Sequence, residues 1–361
     1  MENNIDYRKL GKCLREIGVA ILEAERKCLK QLGRDVIELG FGGKYNEEYY
    51  KKIGSNLWAG ATEDDEKTYP HFENYRGGSG SELLDKPKGE IITPAKMKSI
   101  RSSSAMTYNL LGNKTIKSKE ENGQFADAEY VIEYEKQLYT IRRNLNPANL
   151  DAYLYSEEAQ EAIFCEMKMM EWVFNKPGTL KGAYEDIDRY FANVPSGEKA
   201  LAAFQKAIQM LKNEMSCNGM GEHFFRYDAW QMFKHLLGIY NMTSDVTRAE
   251  VAVLCQKSEG KIQLIPQCKK IKLVNVVFEP SEECLPSTFR AKYNDILKIE
   301  HRDFATFERI MDECGIYEVF KLDCHVDLKI LYMSASKFMD CFDLQDREDY
   351  LERYRLSKKT Y

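Results

Sequence analysis

The spacing of apolar residues switches between helical and strand-like periods along the chain. Near the N-terminus Leu10, Leu14, Ile17, Ile21, Ala24 and Cys28 recur alternately four and three apart. This predicts one long amphipathic helix, or two joined ones, over residues 4–38. The heptad-like stripe suits a homodimer seam or packing on the chain's own core; fewer than four heptads and the small Ala24 favour the second. Gly40 to Gly43 reads as a helix stop and turn. Tyr130 to Tyr134 and Gln137 to Ile141 alternate as strands do, and Asn146 with Pro147 reads as a turn. Two further apolar runs, Ala152 to Tyr155 and Ala162 to Met170, flank a polar connection and predict an antiparallel hairpin. Glu198 to Met215 and Tyr227 to Leu237 have helical patterns. Ile271 to Phe278 is almost continuously apolar and β-branched, the mark of a strand buried on both faces. His301 to Cys314 reads as helix, Val326 to Tyr332 as strand and Ser334 to Phe342 as helix. The charged tail Gln345 to Tyr361 reads as a solvated helix or frayed end. Together these predict an α/β fold: a central mixed β-sheet flanked by helices, with a helical N-terminal extension at residues 1–75 and the main domain at 76–361.

Three charges interrupt the hairpin: Asp151, Glu166 and Lys168. Side chains alternate along a strand, so Glu166 and Lys168 share a face. If Glu157 to Gln160 form the loop, Ser156 pairs with Glu161 and Asp151 falls opposite Glu166. Charges inside an apolar strand are costly unless paired or bound to a metal. Two neighbouring carboxylates repel, and a hard cation such as Mg2+ or Mn2+, which prefers oxygen ligands, relieves that repulsion. An ammonium beside it would orient or deprotonate a water and stabilise charge on a phosphate. The pattern points to metal-assisted phosphodiester hydrolysis. Its competitor is a structural salt bridge, because the motif is short.

At these residues the sequence resembles the PD-(D/E)XK, or restriction-endonuclease-like, nuclease superfamily. That pattern has an Asp on one strand and Glu-x-Lys on the next; Asp151, Glu166 and Lys168 match it. The Pro-Asp pair is not intact, since Leu150 precedes Asp151 and Pro147 lies four residues earlier. GGSGSELLDK at Gly77 to Lys86, SSSAMTYNLLGN at Ser102 to Asn113 and the segment Tyr227 to Tyr240 are similar to a bacterial branch of restriction-endonuclease-like proteins. The resemblance covers roughly Gly77 to Pro280. It implies a restriction-endonuclease-like core and a Mg2+- or Mn2+-dependent nuclease acting on DNA, with Asp151 and Glu166 as metal ligands and Lys168 positioning water and phosphate. It further implies a metal-ligand carboxylate at Glu82 and a site glutamine at Gln231. A solvated loop charge at Glu82 and a surface or capping role for Gln231 stay open. The rival functions are a non-catalytic nucleic-acid-binding or interaction protein that keeps this fold, and an unrelated α/β protein whose charges are structural.

Composition narrows the partners. The 361 residues are 43% hydrophobic, ample for a large core, and the net charge of −5 gives no global attraction to nucleic acid. Ile91 to Lys119 reverses the sign: Lys96, Lys98, Arg101, Lys114, Lys117 and Lys119 stand among no acidic residue, a local charge of +6. Lys96, Lys98 and Arg101 are candidate DNA contacts. Ser102, Ser103 and Ser104 open a helix whose amides suit an anion. An ordinary basic face and plain helix capping compete with that reading. The ten cysteines are scattered without C-x-x-C spacing, which predicts reduced thiols and no iron–sulfur cluster. No apolar run reaches the roughly 18 residues of a membrane span, and Met1 to Leu10 lacks a secretory pattern, so a cytoplasmic protein is expected.

Overall fold

The computed structural model describes residues 7–33, 37–39, 47–50, 56–57, 82–88, 91–112, 114–119, 123–140, 147–174, 177–180, 182–184, 187, 197–217, 224–258, 262–344 and 348–355. Its elements run α1 (Tyr7–Gln31), β1 (Ile37–Leu39), β2 (Glu47–Tyr49), β3 (Lys86–Lys88), β4 (Ile91–Thr93), α2 (Ser103–Leu111), β5 (Thr115–Lys117), β6 (Glu129–Leu138), β7 (Ala148–Ser156) and β8 (Glu161–Lys168). Then follow α3 (Glu171–Phe174), α4 (Glu198–Cys217), α5 (Ala229–Thr243), α6 (Arg248–Lys257), β9 (Lys270–Val277), α7 (Ser287–Glu313), α8 (Ile316–Asp323), β10 (Asp327–Ser334), α9 (Ala335–Asp340) and α10 (Glu348–Arg355). The turn expected at Gly40 to Gly43 and the Asn146 half of the turn before the hairpin lie outside the described residues. Ile37 and Glu38, expected in the first helix, are in a strand instead.

Six strands make one sheet in the spatial order β10-β9-β8-β7-β6-β5. β5 to β8 form an antiparallel meander, while β9 runs parallel to β8 and β10 parallel to β9. Helices α3 to α6 between β8 and β9, and α7 and α8 between β9 and β10, lie in the long connections that parallel pairing requires. Alternation along the strands feeds two cores. Ala152, Leu154, Ile163, Cys165, Val274 and Val276 pack with α1, α2, the first half of α7, α9 and α10. Tyr153, Ala162, Phe164, Ile271 and Leu273 pack with α4, α5, α6, α8 and the second half of α7. The sheet is therefore mixed and covered by helices on both faces, as the pattern predicts.

The alternation changes phase at one place. In β6, Tyr130, Ile132 and Tyr134 join the first core but Leu138 the second; in β7, Leu150 joins the second core but Ala152 the first. Between them stand Glu135 and Asp151, facing each other across a ladder that pairs Tyr134 with Ala152 and Lys136 with Leu150. Glu135 has φ of 51°, a left-handed conformation unfavourable for a residue with a Cβ. This break is why the sequence reads as two strands where there is one.

The first and last described helices, α1 and α10, are tied into the first core. Leu14, Ile17, Ile21, Ala24 and Cys28 of the heptad-like stripe are buried there. The charged tail is not simply solvated: α10 buries Leu351, Arg353 and Tyr354. Arg353 Nη2 donates to Glu25 Oε1 at 2.8 Å, and Arg353 Nη1 donates to Asn56 Oδ1 at 2.9 Å. A tail rich in charge reads as exposed because the partners of its buried Arg353 lie near the other end of the sequence. No described helix is long and apolar enough to cross a membrane.

Helix α5 sits close on β6. A Cβ on Gly238 would stand 2.7 Å from Leu138 Cβ and 3.3 Å from Thr140 Cγ2, so only glycine permits this approach. Asn241 Nδ2 anchors the same contact, donating to the carbonyls of Tyr139 at 3.1 Å and Thr140 at 3.2 Å. Gly238→Ala overpacks the contact and is expected to cost about 1–3 kcal/mol. Denaturant unfolding checks this; an unchanged midpoint would show that α5 is not seated there.

Candidate active site

The hairpin register is the expected one. Ser156 pairs with Glu161 and Ala152 with Cys165 around the turn Glu157–Gln160. One residue beyond the last of these pairs, Asp151 Oδ2 accepts the backbone N–H of Met167 at 2.6 Å. Glu166 and Lys168 follow Phe164 on the face covered by α5. Lys168 Nζ donates to Glu166 Oε1 at 2.7 Å and to Gln231 Oε1 at 2.6 Å, and Gln231 Nε2 donates to Glu166 Oε1 at 2.7 Å. Gln231 is the third residue of α5. The N-cap Asp228 accepts its backbone N–H at 3.0 Å, leaving its side chain to reach the hairpin rather than cap the helix.

Sequence reasoning missed His235. Its Nε2 lies 2.9 Å from Glu166 Oε2, and the residue is 1% exposed. A carboxylate only accepts, so Nε2 carries the proton in this contact. His235 lies one helical turn beyond Gln231 on the same face, and that spacing was the available signal. Glu135 was missed too; it falls in the polar phase of YVIEYEKQL with Glu133 and Gln137, so the alternation gives no signal for it.

The two carboxyls are shifted in opposite directions. Burial pushes Glu166 up, but the Lys168 ammonium and the His235 contact outweigh it and hold the group down to about 2. Asp151 is pushed well above the usual carboxylate range by burial and by the charges of Glu166 and Glu135, against the smaller pull of Lys168. Burial also works against the Lys168 ammonium. The Glu166, Asp228 and Glu171 carboxylates nevertheless raise its pKa above that of an ordinary lysine. The resting site thus has one ionised carboxylate, one disfavoured one and a firmly protonated lysine beside a cavity of about 200 Å3 that Glu166, Lys168 and Gln231 help to line.

The remaining candidates are engaged elsewhere. Glu82 is buried and its Oε1 accepts from Lys96 Nζ at 2.7 Å. Lys98 Nζ donates to Asp85 Oδ2 at 2.7 Å. Among the described residues no three His, Cys, Asp or Glu side chains are gathered closely enough to hold a metal, so Glu82 does not complete a cluster with Asp151 and Glu166. Arg101 is half-buried at the approach to α2. Ser102 caps α2, accepting from Ala105 N–H at 3.1 Å, and the Ser103 carbonyl accepts from the Thr107 hydroxyl at 2.8 Å. Ser104 is buried with the rest of α2, a helix whose residues from Ser104 to Leu111 are all inside. Lys114, Lys117 and Lys119 are exposed at and around the edge strand β5.

The family model described as "Restriction Endonuclease associating with ARP" matches residues 42–313. No curated protein and no solved structure matches the chain.

The donors around Glu166 make a testable unit. A double-mutant cycle of Glu166→Gln with His235→Leu is expected to show a coupling of about 1–3 kcal/mol in unfolding free energy, because the buried acceptor and its donor are separated. Strictly additive losses would mean that the histidine merely fills space.

Proposed function

The chain belongs to the family described as restriction endonucleases associating with ARP, and from that premise we propose that it is a divalent-metal-dependent nuclease that hydrolyses phosphodiester bonds in DNA. The mixed six-stranded sheet with its flanking helices is a restriction-endonuclease-like core, and family and fold together give the protein a nuclease-like character. The single observation that carries the finer reading is the half-buried Asp151 carboxyl set beside the buried Glu166 carboxylate. Burial and mutual repulsion disfavour ionisation of Asp151, and that repulsion is what a cation would remove.

The donor set fits a hard cation. Both groups offer oxygen, and Mg2+ is commonly held by one or two carboxylates, with waters and substrate phosphate oxygens filling the other positions. Asp151 and Glu166 are the residues that would hold it. When bound, such a metal supplies Lewis-acid polarisation and a water of lowered pKa. The chain's own residues do the rest. Lys168, raised in pKa, has no lone pair with which to take a proton from water; its part is to orient the nucleophile and donate to the phosphate. Gln231 bridges Lys168 and Glu166 and fixes their spacing. His235 holds the second Glu166 oxygen. Since protein donors engage both Glu166 oxygens at rest, a metal and a phosphate would take over part of that network.

The basic segment is the proposed DNA surface. Lys96 and Lys98 would exchange Glu82 and Asp85 for phosphates on binding, which lowers their net contribution. Arg101 and the start of α2 at Ser102, Ser103 and Ser104 lie alongside.

Two measurements test this reading. Asp151→Asn and Glu166→Gln keep shape but remove ligand charge, so calorimetry should show weakened Mn2+ binding and cleavage should disappear; Lys168→Ala should retain or tighten Mn2+ while abolishing cleavage. Wild-type cutting by the Lys168→Ala protein, or Mn2+ binding indifferent to both carboxylate changes, makes the three residues structural. Replacing Lys96, Lys98 and Arg101 by Gln should reduce the log–log salt slope of DNA binding by about 0.9 for each phosphate no longer neutralised. An unaltered slope removes the segment from the interface.

A further inference from the structure

The cavity beside Lys168 extends past the proposed catalytic residues. Besides Glu166 and Lys168 it is lined by Asn275, Tyr227 and Glu300. These three residues are at most 3% exposed. Asn275 Oδ1, the Tyr227 hydroxyl and Glu300 Oε2 are buried with no hydrogen-bond partner among the described residues. Buried polar atoms are normally paired, so three unpaired ones around one cavity mark a place prepared for a ligand. Asn275 stands directly beside Glu166 in the β8–β9 ladder and so projects from the same face of the sheet. The Tyr227 ring is fixed edge-on by Phe304, with centroids 5.8 Å apart.

The charges select the ligand. Lys168 and Arg226 oppose a cation in this cavity, while Glu166, Glu171 and Asp228 oppose an anion. Burial, with the nearby Asp303 and Glu279 carboxylates, pushes the Glu300 carboxyl well above its usual range, which favours the neutral form with its O–H and carbonyl. Asn275 likewise presents both donor and acceptor. An uncharged group with a mixed hydrogen-bonding edge satisfies these walls, and Trp172 and Met232 add apolar surface for a ring. The volume of about 200 Å3 exceeds the roughly 150 Å3 known to admit a benzene ring.

We infer that this cavity receives one unstacked nucleobase of the DNA strand whose phosphate is cut at Lys168. The inference rests on the nuclease reading, which supplies the tether: the base hangs from the same strand as the phosphate. Taking a base out of the stack costs pairing energy, least where the base is mismatched. The protein is therefore a nuclease that prefers an unpaired or mismatched nucleotide next to the cut.

The test uses the full chain with Mg2+ and duplexes whose cut position has first been mapped. At each nucleotide flanking the cut, a paired base, a mismatched base and an abasic sugar opposite the same partner are compared. At one position the mismatch should be cut fastest, and the abasic duplex roughly tenfold or more slowly than the mismatch, because an abasic sugar brings no base to bind. Asn275→Leu, checked for folding by thermal unfolding, should bring the mismatch-to-abasic ratio towards one. These substrate comparisons need no variant, so a misfolded Asn275→Leu protein leaves them intact. Equal cutting of all three duplexes at every position overturns the base pocket while leaving the nuclease reading in place. No metal-dependent cutting of any DNA overturns the nuclease reading itself.

Discussion

Glu166 is a carboxylate in the middle of an apolar strand between two cores, and the local structure is organised around paying for its charge. Burying such an ion costs several kcal/mol unless donors surround it. Three donors do so: Lys168 from the same strand, and Gln231 and His235 from one turn of α5. Helix α5 can supply them because Gly238 and Asn241 seat it against β6. A strand that buries such charges thus requires a helix at a fixed height and rotation.

Asp151 is positioned by different means. It stands opposite Glu135, where both strands switch which core they face, and it takes a backbone N–H from Met167 in place of a charged partner. Glu166 has no lack of positive partners and stays ionised; Asp151 has two carboxylate neighbours and resists ionisation. A comparable buried pair, Glu161 Oε2 accepting from Lys272 Nζ at 2.6 Å with Tyr130 on the other oxygen at 2.7 Å, is fully matched and reads as structural.

Much of this was legible in the sequence, for local reasons. A period of two with a four-residue loop leaves one register, so Ser156 opposite Glu161 follows from the hairpin alone. The same period puts Glu166 and Lys168 on one face, and IKLVNVVF could only be a strand buried on both sides. What the sequence hid was non-local. The acid-free run from Ile91 to Lys119 looks unpaired until Glu82 and Asp85 fold beside Lys96 and Lys98. The tail looks solvated until Arg353 meets Glu25. His235 was hidden for another reason: a lone histidine on an apolar helix face is usually packing, and only the rotation of α5 that brings Gln231 to Glu166 gives it a partner. The phase switch at Glu135 is a backbone conformation with no composition signature.

The central claim is that Asp151 and Glu166 form one cation site with Lys168 at its edge. Anomalous diffraction from crystals of the protein grown with Mn2+ tests it directly. The account predicts a peak within coordination distance of both carboxylates, with the Lys168 ammonium turned from Glu166 towards solvent or phosphate. A Mn2+ peak elsewhere in the chain, with the Lys168–Glu166–Gln231 network unchanged, would contradict it.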